Sequence, residues 1–373
     1  MHSQYKDDPR SVMTLDAGGT SFKFSAIRGG GAAIQSFSIP SNADNLERCL
    51  SSIVSGFQRV RDALPSAPVA ISFAFPGPAD YLSGIIGDLG NLPCFRGGIA
   101  LGPMLEDKFG IPTFIKNDGD LFVYGEAIAG LLPYVNGILK QAGSPKQFRN
   151  LFGVTLGTGF GGGIVRNGQL FEGDSICAAE IWLLRNKLLP STCAEESVSI
   201  RAVRGVYAAE AGIPFEEAPD PKTIFDIGTG RASGDPAAAR EAFRQLGVVV
   251  GDSLAQTATL LDGLAVIGGG ISGAWPLFLP TIVEEMNGCY QKPGGGTFRR
   301  LAQVAFNLED PAQLEAFITG DKREVIVPGS GRKLAYDALP RVGVGVSKLG
   351  TSEAVAIGAY AFAISQLEVS KIE

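Results

Sequence analysis

Histidine is almost absent from this chain: its 373 residues contain one, His2. A histidine relay or a histidine-rich metal centre in the interior is thereby excluded. Cysteine is sparse as well, and Cys49, Cys94, Cys177, Cys193 and Cys289 are odd in number and form no C-x-x-C pair. They read as reduced, mostly buried thiols rather than as a disulfide framework. There is no basic run, and a net charge of −6 lacks the positive surface with which a nucleic-acid binder displaces phosphate counterions. No stretch reads as the roughly 18 apolar residues of a membrane span, and Met1–Arg10 has no signal-peptide core. The expectation is a cytoplasmic protein with neither a nucleic-acid nor a membrane partner.

What is abundant is glycine, 50 residues of it, in a chain that is 45% hydrophobic and 19% charged. That balance belongs to a globular protein, and the length suits two domains with a ligand cleft. Strand-like and helix-like segments alternate, the signature of an α/β fold. Val12–Leu15 runs into Asp16-Ala17-Gly18-Gly19-Thr20 and returns as Phe22–Arg28. Asn45–Leu64 is a predicted helix, Val69–Phe75 a buried strand, Leu101–Phe109 a helix, and Thr113–Ile115 a short strand stopping at Asn117-Asp118 before a helix over Leu121–Gly130. The second half repeats the plan. Leu151–Leu156 closes at Gly157-Thr158-Gly159-Phe160-Gly161-Gly162-Gly163, and a long helix, Pro236–Leu261, precedes the strand Gly263–Ile267 and then Gly268-Gly269-Gly270-Ile271-Ser272. Residues 294–337 read as an irregular insertion and Thr351–Leu367 as a last helix.

Three glycine turns at strand ends suggest backbone amides presented to phosphates. In the first, Thr20 adds a hydroxyl, and Asp16 supplies a carboxylate suited to holding Mg²⁺ directly or through water. An ordinary Asp-Gly hairpin has the same pattern. A dinucleotide-binding fingerprint does not, because it needs a helix where Phe22–Arg28 reads as a strand. Five glycines between Gly157 and Gly163 fit a phosphate loop, and Gly268–Gly270 fits either a ligand turn or a tight packing turn. Asp118 suits the proton acceptor of phosphoryl transfer to a hydroxyl, with Asn117 orienting the alcohol; a plain helix cap is the bland alternative.

The ordered set Asp16–Thr20, Asn91-Leu92-Pro93, Asn117-Asp118, Gly157–Gly163, Glu180 and Gly268–Ser272 resembles the ROK family of bacterial sugar kinases and repressors over nearly the whole chain. The resemblance implies two actin-like (ribonuclease H-like) domains with an interdomain cleft, ATP with Mg²⁺ as cofactors, a hexose or N-acetylhexosamine as substrate, and a homodimer. It implies domains over 11–130, joined by the C-terminal helix 351–373, and over 131–350. It places Asp118 as the base, and Asn91, Asn117, Glu180 and Glu195 on the sugar, with Glu196 the adjacent alternative to Glu195. Asp16, Gly18, Gly19 and Thr20, then Gly157, Thr158, Gly159 and Gly161, then Gly269, Gly270 and Ile271 fall on the nucleotide.

This chain departs from the family at Glu180-Ile181-Trp182-Leu183, where the family has Glu-x-Gly-His, and its cysteine-rich zinc hairpin is deleted apart from Cys193. No zinc is expected, and Trp182 would give the sugar pocket an apolar wall. A catalytically idle sugar-binding regulator is the competing reading. A repressor is disfavoured because nothing before Asp16 reads as a DNA-binding domain.

Overall fold

Strand β1 (Ser11–Ala17) is buried from Ser11 to Leu15 and pairs antiparallel with β2 (Ser21–Arg28) across a tight turn. The computed structural model describes residues 5–90 and 92–369; Asn91, expected on the sugar, lies outside the described residues. Beyond β2 come β3 (Gly31–Ala32), β4 (Phe37–Pro40), helix α1 (Leu46–Ala63) and β5 (Ala70–Ala74). A three-stranded ribbon of β6 (Ala79–Asp80), β7 (Ile85–Ile86) and β8 (Ile99–Ala100) precedes α2 (Leu101–Phe109) and β9 (Thr113–Lys116). The first main sheet has the order β3-β2-β1-β5-β9, with β4 also on β2, and β1, β5 and β9 run parallel. Its α1 face is aromatic: Phe22, Phe24, Phe57, Phe73, Phe75 and Phe109 share one core with Met13 and Leu15. Edge-to-face pairs such as Phe24–Phe57, at 5.3 Å between centroids, knit it together.

Two helices follow, α3 (Asp118–Ile128) and α4 (Leu131–Gln141), then β10 (Leu151–Leu156), β11 (Phe160–Arg166) and β12 (Gln169–Leu170). Helices α5 (Ile200–Ala211), α6 (Pro221–Gly228) and α7 (Pro236–Leu261) lead to β13 (Leu264–Gly268) and α8 (Trp275–Met286). Next come β14 (Cys289–Gln291), β15 (Thr297–Arg299), β16 (Val304–Asn307), α9 (Pro311–Thr319), β17 (Lys322–Ile326), β18 (Lys333–Asp337), β19 (Arg341–Val346) and α10 (Thr351–Val369). The second main sheet has the order β12-β11-β10-β13-β19-β16, with β10, β13, β19 and β16 parallel. A hairpin followed by parallel strands is thus used twice, as the actin-like expectation required.

The chain forms two compact units: 1–133 with 163–178 and 349–373, and 134–162 with 179–348. Residues 163–178 therefore join the first unit, which the expected division at 130/131 did not anticipate. Within that unit the carboxylate of fully buried Glu126 accepts the Leu131 N–H at 2.7 Å and the Leu349 N–H at 3.1 Å. One side chain thus clasps the points where the chain is about to leave the unit and has just re-entered it. Helix α10 packs on α3, β1 and β5, and the helices meet backbone to backbone: a Cβ at Gly125 would lie 1.9 Å from the Ala354 carbonyl oxygen.

Two sequence expectations are corrected. One helical stretch, 118–141, is long and apolar enough by composition to cross a membrane, but 61% of its most apolar 18-residue window is buried inside the protein. Its apolarity is that of a core helix, since Gly119–Ile128 are all buried. The supposed irregular insertion 294–337 is ordered: β16 joins the main sheet beside β19, α9 follows it, and β17–β18 forms an exposed hairpin. Short strands joined by Gly294-Gly295-Gly296 hid it, because each run is too brief to show a period.

Candidate active site

In the first unit, Met13 and Leu15 enter the aromatic core, so strand alternation turns Thr14 and Asp16 to the opposite face. Asp16 is exposed at the carboxyl end of β1 and lines a pocket of about 400 Å³ with Lys23, Ser25, Ser352 and Glu353. The following turn is tightly held. The Gly18 N–H donates to the Ser21 carbonyl at 3.1 Å, while Ser41 donates its hydroxyl to the Gly19 carbonyl at 2.6 Å and its N–H to the Thr20 carbonyl at 3.1 Å. Gly18 therefore shapes the turn, and its amide is committed within it. What remains for an anion is the Gly19 and Thr20 amides and the Thr20 hydroxyl.

Strand β9 ends where Asn117 caps α3: its Oδ1 accepts the Gly119 N–H at 2.8 Å. The helix thus starts at Asp118, three residues earlier than the apolar pattern suggested. Asp118 Oδ1 shares the same N–H at 2.9 Å. With its carbonyl oxygen used as a cap, Asn117 offers a substrate its Nδ2 donor. Asp118 keeps solvent access, yet desolvation by the surrounding protein raises its carboxyl above the usual range. The Gly119 amide opposes that rise and the nearby negative charge of Asp16 adds to it. A carboxylate with raised basicity at a helix start is equipped to accept a proton. Sequence reading missed Lys116, two residues before Asp118, which is buried, ion-paired with Glu172 and 4.8 Å over the Phe362 ring. Its partner lies 56 residues on, and no local pattern announces it.

In the second unit the glycine-rich stretch divides in two. Gly157-Thr158-Gly159 is the turn, closed by the Gly157 N–H on the Gly159 carbonyl at 3.0 Å. Gly161 to Gly163 already belong to β11 and are glycine for packing, since a Cβ at Gly161 would lie 2.5 Å from Thr155 Oγ1 and one at Gly162 2.7 Å from the Ala179 carbonyl oxygen. Gly161 is thus glycine for a packing reason as well as for its expected place at phosphate. The Gly157 carbonyl accepts the Ile200 N–H at 2.8 Å, and the Phe160 N–H donates to Glu195 Oε2 at 2.9 Å. Glu196 instead pairs with exposed Arg201 at 2.9 Å, so of the two adjacent carboxylates Glu195 faces the turn.

The third turn abuts the second. Gly269, at φ +89°, passes so close to Leu156 that a Cβ would lie 2.3 Å from its carbonyl oxygen, and the Ile271 N–H donates to that oxygen at 2.9 Å. Ile271 is 2% exposed and its amide holds the turn against Leu156. Gly270 opens to free space. Glu180 is exposed and accepts the indole N–H of half-exposed Trp182, so the aromatic ring and the carboxylate present a joined surface. Among the described residues no three His, Cys, Asp or Glu side chains gather into a metal cluster.

Gly159 supplies a prediction. A valine there places its Cβ 2.7 Å from Glu195 Oε2 and must deform the turn or expel the carboxylate. Gly159→Val is expected to weaken ADP affinity tenfold or more, roughly 1.4 kcal/mol, by titration calorimetry. Unchanged affinity would make the turn purely structural.

Comparison with known proteins agrees with this layout. The solved structure of a glucokinase from Parabacteroides distasonis is 51% identical and superposes with a TM-score of 0.88, covering 97% of this chain and 99% of that one. A glucokinase from Streptomyces griseus, solved with glucose and AMPPNP, shares the fold at 20% identity and a TM-score of 0.59, over 94% and 98% of the two chains. The curated glucokinase of Halalkalibacterium halodurans is 28% identical over 180 residues, 46% of this chain and 49% of its own length; the chain thus spans about half of that relative. The model of the ROK family matches residues 12–303. On a match of that extent the protein belongs to the ROK family.

Proposed function

We propose that this chain is an ATP-dependent kinase that phosphorylates a hydroxyl of a hexose or N-acetylhexosamine. The observation that carries the reading is Asp118, a solvent-reachable carboxylate of raised basicity beside the Asn117 cap and within electrostatic reach of Asp16. Asp118 takes the proton of the attacking hydroxyl while Asn117 Nδ2 holds that hydroxyl's oxygen. The amides of Gly19 and Thr20 in the first turn and of Thr158 and Gly159 in the second receive phosphate oxygens. Glu180, Glu195 and Trp182 contribute to the sugar side, the indole replacing a polar wall. ATP as donor is supported by family membership and by the AMPPNP complex of the Streptomyces griseus relative. A cytoplasmic homodimer without nucleic-acid or membrane partners completes the reading.

Exposed Asp16, with no crowded cluster around it, fits magnesium, which takes few protein ligands and completes its shell with water and phosphate oxygens. The ion supplies neutralising charge on the transferring phosphate. A chelator is expected to abolish kinase activity, restorable by Mg²⁺, while leaving the circular dichroism spectrum unchanged. Stoichiometric zinc by elemental analysis, or unfolding on chelation, would overturn the metal assignment.

The test of the function is ADP release measured against a panel of hexoses, N-acetylhexosamines and their anhydro and acid derivatives. Saturable sugar-dependent release supports the kinase. Sugar binding without ADP release from any of them would make this an idle sensor.

A further inference from the structure

Asn186 belongs to none of the motifs above, yet it is fully buried and every valence of its side-chain amide is used. Its Nδ2 donates to the Cys193 carbonyl at 3.2 Å and to Ser197 Oγ at 2.8 Å. Its Oδ1 accepts the N–H groups of Leu188 at 3.0 Å and Leu189 at 3.1 Å. Its own N–H donates to the Thr192 carbonyl at 3.0 Å. Around this hub the chain folds back on itself: the Ala194 N–H reaches the Leu184 carbonyl at 2.7 Å, and Arg185 bridges Cys193 antiparallel. Apart from that single bridge and short 3₁₀ turns the segment between Leu184 and Ser197 has no regular structure of its own; from outside, α7 packs on the Ala194–Ser197 turn and Lys187 pairs with Glu285.

The fold-back delivers Glu195. Its one-turn helix, Ala194–Ser197, sets the carboxylate on the Phe160 N–H at 2.9 Å, and Ile200 grips the Gly157 carbonyl at 2.8 Å. The glycine turn is thus held at both ends by one segment, and that segment is organised by one amide. Buried networks satisfied at every member are rigid, and losing one member leaves several groups unpaired.

We propose that Asn186 is a positioning residue for the nucleotide: it fixes Glu195 against the Phe160 amide and so fixes the direction in which the Thr158 and Gly159 amides face phosphate. The inference rests on the kinase reading above. It assigns Glu195 a second task besides the sugar, that of orienting the phosphate turn.

The experiment is calorimetric titration of the full chain with Mg²⁺ and ADP. Glu195→Ala removes the acceptor for the Phe160 N–H and is expected to weaken ADP about tenfold. Glu195→Gln keeps an acceptor oxygen and is expected to stay within about twofold. Asn186→Ala is expected to match Glu195→Ala and to add nothing in its background, because it acts through that residue. Ser197→Ala, at a half-buried partner, probes the same hub should Asn186→Ala fail to fold, and is expected to weaken ADP in a wild-type background only. Wild-type ADP affinity in Glu195→Ala, tighter binding in it, failure of Glu195→Gln to rescue, or additive effects in either double variant overturns the proposal. A wild-type chain that binds no ADP overturns the kinase reading and this inference with it; wild-type binding with an indifferent Glu195→Ala overturns this inference alone.

Discussion

Asp118→Asn is expected to lower turnover by about 10²–10⁴-fold while sugar and ADP affinities change little, because a proton acceptor acts chiefly in the transition state. The substitution keeps the size of the side chain and an oxygen for the Gly119 N–H that Asp118 shares at 2.9 Å with the Asn117 cap. Helix α3 should therefore start as before, and calorimetry with steady-state kinetics separates a lost base from a lost fold. Asn117→Ala makes the contrast. It removes both the cap and the hydroxyl donor, so sugar affinity should fall along with rate.

The same assignment fixes a pH dependence. Desolvation and the Asp16 charge hold Asp118 above the ordinary carboxylate range, and only the ionised form accepts a proton. The acid limb of kcat/KM is therefore expected at a higher pH than an unperturbed aspartate gives, and the residual rate of Asp118→Asn should lack it. Near-normal turnover in that variant would reduce Asp118 to part of a helix start.

Asp337→Ala is expected to be the most destabilising single change outside the site. Arg341, 1% exposed, donates from Nη1 to Asp337 Oδ2 at 2.6 Å, and Asp337 Oδ1 accepts the N–H groups of Asp321 at 3.0 Å and Leu339 at 3.2 Å. Removing the carboxylate strands a buried guanidinium and two backbone amides, at a cost of about 3–5 kcal/mol. Urea unfolding measures it, and Asp337→Ala/Arg341→Met should recover part of the loss because no buried charge is left unpaired. The pH sign follows. Burial pushes the Asp337 carboxyl up, but the Asp321 amide, Arg341 and the Leu339 amide pull it further down, below its ordinary value. Its contribution is full above the ordinary carboxylate pKa and is lost as pH falls through the lowered folded value. The variant should show a flatter loss of stability on acidification, and equal stability of variant and parent at pH 7 would remove the pair from the account.

The strands β1, β5, β9, β10 and β13 were legible because each is a short apolar run stopped by glycine, proline or an Asn-Asp pair, and α1 and α7 because their lengths exceed any strand. Asn117-Asp118 was legible for a local reason too, since a cap and the first helical residue are neighbours in sequence. The glycine turns at the strand ends were legible, but not what each glycine is for. Glycine alone does not say whether a Cβ is excluded by a ligand or by the protein, and at Gly161 the excluding atom is Thr155 Oγ1. The Ile271 amide binds Leu156, 115 positions away in sequence, and adjacency to glycines carried no sign of that. Asn186 left no trace at all, because most of its partners are peptide groups and every residue has those. Which of Glu195 and Glu196 faces the glycine turn was likewise visible only as direction in space.

The division of the chain has a consequence for its synthesis. The first unit is built from residues 1–133, 163–178 and 349–373, and α10, at Thr351–Val369, packs against β1, at Ser11–Ala17. Domains ordinarily mature in the order in which they leave the ribosome. Here the order inverts: the segments of the second unit all emerge before α10, and the first sheet receives the helix that packs on it only after they have. A nascent chain arrested before residue 351 would hold β1, β5 and α3 with their α10-facing apolar surfaces bare, so a truncation that removes α10 does its damage in a sheet translated long before it.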